Sequence, residues 1–315
     1  MQTPPGTVES VPDPAGGPAV ELEFGLEPVE PLGHDVGNPA RRRWRAFRRN
    51  KGALVAFFFL LLVIVIVPIF ASSLATHSPN DTDLIHRYQT PSTAHWLGTD
   101  DLGRDMYSRL VHATQVSVVV ALASVAIALV ISLPLGALAG YGGRAFDTLI
   151  MRAMDVLLSI PALLLVFAVA GILGRSLFNT SIALSVIFAP VFIRLVRDEV
   201  RTLRSGQLVE AERSVGGSTR YIFARHVLPK MASPLIVQIT LGLATAILAE
   251  ASLSFLGLGV QPPASSWGSM LSQTYTNVFT TAWPVFIPAT AITLTVLALN
   301  VFGDGIRDVV AKVRT

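Results

Sequence analysis

The sequence predicts an all-α integral membrane protein with six transmembrane helices and with both chain ends in the cytoplasm. Hydrophobic residues make up 51% of its 315 residues and charged residues only 14%, whereas soluble domains carry about 25% charged residues. The charges are missing in blocks rather than evenly, and each block approaches or exceeds the roughly 20 apolar residues that cross a bilayer. Lipid is therefore the predicted solvent for most of the chain.

The chain before the first apolar block has a different composition. Residues 1–40 interleave eight prolines with glycine and acidic residues, and such a stretch cannot bury enough apolar surface to offset its chain entropy. We predict a disordered tail, and a dispensable extension is favoured over a regulatory or docking tail. No cleavable signal peptide is predicted, because the first apolar run begins only at Gly52 and is too long for one.

Six spans follow from the charge-free blocks. A break near Gln261 divides the last and longest block into the end of one helix, an outer loop and another helix. Gly136 and Gly140 have the spacing of small residues that lets two helices approach closely. The predicted spans are 52–75, 113–139, 154–173, 178–198, 231–256 and 281–303.

The distribution of basic residues predicts the orientation. With the N-terminus inside, 20 of the 24 Lys and Arg residues fall in cytoplasmic segments and four in outer segments, as the positive-inside rule requires. The basic run in residues 41–51 lies directly before the first span. It is interpreted as an anchor to anionic membrane lipid, and no nucleic-acid partner is predicted.

Residues 205–229, between the fourth and fifth spans, form the most informative segment. The pattern predicts a short polar helix, a break at residues 216–219 and a second amphipathic helix, with Pro229 in the first turn of the fifth span. A compact pair of helices suits docking into a groove of a partner protein. An ordinary loop on the lipid surface fits the residues equally well, so the pattern alone leaves both open.

This segment resembles the EAA loop of type I ABC importer permeases. Five residues match that motif at its spacing: Glu210, Ala211, Gly216, Leu228 and Pro229. Two positions depart from it, because Glu212 replaces an alanine and His226 replaces the usual apolar residue. The resemblance implies that the loop docks into a cleft of an ATP-binding subunit and couples it to the membrane helices.

Three further motifs narrow the resemblance to the C-type permease of dipeptide and oligopeptide importers. They are Leu-Gly-Thr-Asp-Asp-Leu-Gly-Arg-Asp at 97–105, Leu-Ser-Phe-Leu-Gly at 253–257 and Gly-Asp-Gly-Ile-Arg-Asp at 303–308. The resemblance covers about residues 40–310. It implies a type I ABC importer permease fold in the bacterial cytoplasmic membrane, with a first span and outer loop in 41–110 and the shared core in 111–308.

The resemblance also implies the partners. They are a homologous B-type permease subunit, two ATP-binding subunits that bind ATP and Mg, and an extracytoplasmic peptide-binding protein. The chain itself is expected to bind no cofactor and to form half of a translocation path for peptides. Relatives of such permeases also carry nickel, haem or other small solutes, so a different substrate remains the alternative.

Four charged residues outside the loop are candidates for the pathway or for structure. Asp100, Arg104 and Asp105 lie in the outer loop, where Thr99 or Asp100 could cap a short interfacial helix, and structural roles are favoured. Glu250 lies late in the fifth span, near the outer interface. A buried carboxylate there is often functional, but hydration or a hydrogen bond to a neighbouring helix explains it equally well.

The sequence lacks the patterns and residues that rival functions require. The sequence shows no internal repeat and no charge at the middle of a span, both typical of secondary transporters. It has no His-Glu-x-x-His, no Gly-x-Ser-x-Gly and no phosphate-binding Gly-x4-Gly-Lys-Ser/Thr. With no cysteine, and with His77, His86 and His95 at nine-residue intervals that suit no helix face, no catalytic residue and no metal site is predicted.

Overall fold

The computed structural model describes residues 48, 50–214, 216 and 218–314. The predicted tail, residues 1–40, lies outside the described residues. Within them the chain is helical and contains no β-strand, only an isolated bridge between Thr99 and Asp105. The predicted all-α class is confirmed.

The described helices are numbered here in chain order. Helix α1 contains a π-helical stretch, and α7 follows a four-residue helix, Thr219–Ile222, and a π-helical turn, Phe223–Val227. Their bounds are Lys51–Ile69 (α1), Met106–Tyr141 (α2), Arg144–Ser159 (α3), Ala162–Leu173 (α4), Leu177–Arg204 (α5), Gln207–Ser214 (α6), Leu228–Phe255 (α7), Trp267–Tyr275 (α8) and Trp283–Arg314 (α9).

Five of the described helical runs are long and apolar enough to cross a membrane, and they correspond to five predicted spans. The third predicted span, 154–173, was wrong as a single helix. It begins inside α3 and runs through Pro161 into α4, and the two helices meet at 94°. The bend lies where Pro161 supplies no N–H and forces Ile160 out of the helical region. Counted as one broken span, this pair makes six.

Helices α2 and α5 form a close pair. A Cβ on Gly136 would lie 2.6 Å from the Cβ of Val196, and one on Gly140 would lie 2.6 Å from a methyl group of Val200. Any side chain larger than hydrogen would push the helices apart at these points. The two glycines therefore serve the close approach predicted for them, and α5 is the partner helix.

The first and last long helices also pack together. A Cβ on Gly305 of α9 would lie 2.3 Å from the Cβ of Ala53 in α1, and the rings of Phe57 and Phe302 stand 5.9 Å apart. Large apolar side chains such as Val130 and Ile172 remain exposed, at 70% and 85%. Apolar surface of this kind on long helices fits lipid or a neighbouring membrane protein rather than water.

Candidate functional site

The 205–229 loop folds as two helical pieces joined by a glycine turn. Helix α6 begins directly after Gly206 and places Val209 inward, 3% exposed, and Glu210 outward. Gly216 then adopts φ +85°, a conformation that residues with a Cβ rarely adopt. A Cβ on Gly216 would meet no atom within 4 Å, and the residue is exposed. The predicted break is thus present, and a side chain at position 216 would project into open space.

The second piece runs without interruption into the membrane helix. Ile222 and Val227 are buried, at 1% and 0% exposure, while Tyr221 stands 53% exposed. Leu228 is half-buried, and Pro229 is exposed in the first turn of α7, as predicted. The expected separation between an amphipathic helix and the fifth span is absent, since the π-helical turn Phe223–Val227 joins them into one run. The second piece of the loop and α7 are therefore one continuous helical run.

The two departures from the EAA pattern face each other. Nε2 of His226 lies 3.2 Å from Oε1 of Glu212, at ion-pair distance. The nitrogen is buried and makes no well-aligned hydrogen bond, so the two side chains are in close contact without a directed hydrogen bond. The contact links α6 to the π-helical turn before α7, across the glycine turn.

Beside the loop lies a polar cavity of about 760 Å³. Glu210 lines it together with the guanidinium-bearing residues Arg144, Arg201 and Arg204. Arg204 donates to the carbonyl oxygens of Gly140 and Tyr141, both at 3.2 Å, and so ties the end of α5 to the end of α2. The loop thus rests on the junction of the close helix pair, where the exposed Glu210 carboxylate shares the cavity with these arginines and with Asp147, which pairs with Arg201 at 3.2 Å.

At the other end of the helices, Asp100 is the centre of a buried ionic cluster. The residue is 2% exposed, and its carboxylate accepts hydrogen bonds from Arg104 Nε, at 2.8 Å, and from the Arg109 guanidinium. Gln273 of α8 accepts from Arg109 at 2.8 Å and from Arg104 at 3.3 Å. The cluster therefore joins the α1–α2 segment, the start of α2 and α8, which supports the structural role favoured for Asp100 and Arg104.

The short interfacial helix predicted after Thr99 or Asp100 is absent: Asp100 instead accepts from the N–H groups of Leu102 and Arg104 in a turn, and Asp105 is the N-cap of α2. Its Oδ2 accepts from the backbone N–H of Ser108 at 2.8 Å, and its Oδ1 lies 2.9 Å from Nδ1 of His95. Burial of the carboxyl group raises its pKa, but the hydrogen bonds from Ser108 and His95 outweigh that effect and hold the pKa of Asp105 below its usual value. Asp105 is thus an ionised cap inside a polar loop.

Glu250 is wholly buried. Its carboxylate oxygens lie 3.0 Å from the hydroxyl of Ser117 in α2 and 2.6 Å from that of Ser254. Ser117 also accepts from the backbone N–H of Trp267 at 3.0 Å. Of the two structural explanations, the hydrogen bond to a neighbouring helix is therefore the one observed. Glu250 forms a polar junction of α2, α7 and the start of α8.

Comparison with known families decides what kind of protein carries this arrangement. The profile of the family described as binding-protein-dependent transport system inner membrane component matches residues 132–314. The chain belongs to this family. A second profile, the N-terminal transmembrane domain of oligopeptide transport permease C, matches residues 38–91. The two profiles cover the first span and the chain from the end of α2 onward, and most of α2 lies between the two matches.

Individual family members cover most of the chain. A dipeptide transport system permease protein of Alkalihalophilus pseudofirmus is 41% identical, over 86% of this chain and 89% of its own length. A probable D,D-dipeptide transport system permease protein of Escherichia coli K12 is 44% identical, over 77% and 82%. A glutathione transport system permease protein of Pectobacterium atrosepticum is 38% identical, over 87% and 91%.

A solved structure confirms the fold. An inward-facing form of the MetNI methionine ABC transporter contains a chain that aligns with a TM-score of 0.52 and 22% identity, covering 63% of this chain and 95% of its own. At that identity the likeness concerns the fold alone. The type I ABC importer permease fold implied by the sequence motifs is therefore confirmed for this inner membrane component.

Proposed function

We propose that the chain is one of two permease subunits of an ATP-driven importer of di- and oligopeptides in the bacterial cytoplasmic membrane. The similarity to relatives named for dipeptide, D,D-dipeptide and glutathione transport carries this proposal, because it extends over most of each chain. A homologous B-type permease supplies the other half of the path. Two ATPase subunits hydrolyse ATP with Mg, and an extracytoplasmic binding protein delivers the peptide.

The 205–229 loop is the proposed coupling element. Three buried side chains, Val209, Ile222 and Val227, anchor it to the helix bundle, so the loop is held by the permease on its inner face. Its outer face presents Glu210, Gly216 and Tyr221 to solvent. A partner that pushes on this face moves α5 and α7 together, because both continue directly into the loop.

Peptide uptake tests the proposed substrate class. The chain is reconstituted in proteoliposomes with a homologous B-type permease, ATPase subunits and a peptide-binding protein. Labelled di- and oligopeptides should accumulate only with ATP, the binding protein and this chain all present. Nickel and haem serve as the competing substrates, and ATP-dependent uptake of either one with none of peptide would replace peptide as the substrate.

The orientation is tested by cysteine labelling, which the cysteine-free sequence makes direct. Thr93→Cys and Thr280→Cys lie at exposed positions of the segments proposed to be outside. Both should react with a membrane-impermeant maleimide in intact cells. Ser218→Cys and Asp308→Cys, also exposed, should react only after permeabilisation. Labelling of Ser218→Cys in intact cells would reverse the orientation.

A further inference from the structure

Two histidines and an aspartate converge beside the start of α2. His77 follows the short helix Ala71–Leu74, His95 lies in the α1–α2 segment, and Asp105 is the α2 cap. One ring nitrogen from each histidine and one carboxylate oxygen of Asp105 all lie within 4.8 Å of one another. Nδ1 of His95 is 2.9 Å and Nδ1 of His77 is 3.9 Å from the carboxylate, and the two rings are 4.8 Å apart.

We propose that His77, His95 and Asp105 form a three-ligand binding site for a divalent transition-metal ion such as Zn²⁺. Zinc binds imidazole nitrogen and carboxylate oxygen at about 2.0–2.2 Å, so the ligand atoms of a tetrahedral site stand roughly 3.3 Å apart. The spacings within the cluster lie on both sides of that value. Two imidazoles select Zn²⁺, Ni²⁺ or Cu²⁺ over Mg²⁺ and Ca²⁺, which prefer oxygen ligands.

The surroundings hold these ligands in place. Asp105 is 2% exposed and accepts hydrogen bonds from the Ser108 N–H at 2.8 Å and from the Thr76 hydroxyl at 3.3 Å. The hydroxyl of Ser108 accepts from the backbone N–H of His77 at 3.0 Å, which holds the backbone of that histidine against the first turn of α2. Hydrogen bonds behind the ligands are what orient a metal site.

The exposure of the cluster leaves room for a fourth ligand. The side chain of His77 is 43% exposed and that of His95 is 20% exposed, while Asp105 is buried beneath them. Water can therefore complete the coordination. An ion bound here would tie two separate points of the α1–α2 segment, at His77 and His95, to the start of α2. In the proposed orientation this clamp lies on the extracytoplasmic side, and its ion comes from outside the cell.

Isothermal titration of the full-length chain tests the site. The protein is purified in detergent with an affinity tag that contains no histidine, stripped with EDTA and titrated with ZnCl₂. One ion per chain should bind, and His77→Gln and His95→Gln should each weaken binding at least about tenfold. His86→Gln is the matched control, because His86 lies in the same segment but pairs with Asp83 at 2.6 Å. It should leave zinc binding unchanged, and MgCl₂ should give no binding.

Electron paramagnetic resonance with Cu²⁺ adds a readout of the ligands that is already decisive on the wild-type chain. The wild-type spectrum should show two coordinated imidazoles, and the spectrum of His77→Gln should show one. A wild-type chain that binds no stoichiometric Zn²⁺, or whose Cu²⁺ signal shows no imidazole, overturns the proposal. So does unchanged zinc affinity in both His77→Gln and His95→Gln. Neither assay involves uptake, so the result is independent of the proposed function.

Discussion

Gly216→Arg is expected to reduce uptake by an order of magnitude or more while the membrane complex still assembles. At φ +85° a residue with a Cβ is strained by about 1–2 kcal/mol, and the arginine side chain would project into open space rather than into the chain's own helices. The bundle therefore tolerates the change. Docking of the proposed ATPase subunit should fail, because the arginine side chain would occupy the face of the loop that docks. Binding-protein-stimulated ATP hydrolysis and uptake are measured on the same proteoliposomes.

A second glycine supplies a matched control. Gly174 has φ +82° and is equally open, with no atom within 4 Å of its Cβ position, but it lies between α4 and α5 at the other end of the bundle. Gly174→Arg likewise places a side chain at a positive φ, with φ 82° and ψ 171°, but does not reach the loop, and it should retain most of the uptake. Gly216→Ala separates the strain from the bulk and should fall between wild type and Gly216→Arg.

Glu210→Lys examines the same docking face through charge. Glu210 is exposed, and the family resemblance places its carboxylate against a basic site on the ATPase. Reversing the charge should lower uptake and uncouple ATP hydrolysis from the loaded binding protein. Normal transport in both Glu210→Lys and Gly216→Arg complexes would remove the 205–229 loop as the coupling element.

The spans were predictable because lipid acts on every residue of a helix that crosses it. A block without charges is a direct consequence of the solvent, and it can be seen in composition alone. A bend between two helices within one charge-free block cannot be seen in composition. The charge-free stretch before and after Pro161 looked like one span, yet the helices on either side of this proline meet at 94°. Hydropathy measures what surrounds a helix and carries no information on its direction.

The sites were less predictable because their partners lie far apart in sequence. The sequence marks Glu250 as a charged residue within a span. Its partner Ser117 is 133 residues away, and no helical periodicity relates the two positions. The nine-residue intervals between the histidines place them on no common helix face. In the structure, His77 and His95 come together within an irregular segment. Glu212 and His226 looked like two separate departures from the EAA pattern. In the structure they form one pair, 3.2 Å apart.

Asp100→Asn is expected to destabilise the folded chain by about 3–5 kcal/mol, the cost of leaving a buried charge without its partner. Arg109 is only 3% exposed, and in this variant its guanidinium would keep Gln273 as a hydrogen-bond partner but lose the ion pair with Asp100. The consequence reaches α8, because Arg104 and Arg109 both contact it through Gln273. We expect less protein in the membrane and a lower midpoint of thermal unfolding in detergent.

The neighbouring carboxylate provides the control for this prediction. Asp101 is 35% exposed and lies 3.5 Å from Arg104, so Asp101→Asn removes one carboxylate charge from the same loop at little cost, since exposed pairs contribute about 0–1 kcal/mol. Adding Arg109→Met to Asp100→Asn removes the stranded charge and should recover part of the stability. If Asp100→Asn unfolds at the wild-type temperature but transports nothing, Asp100 acts in the translocation path and the structural role assigned to the cluster is wrong.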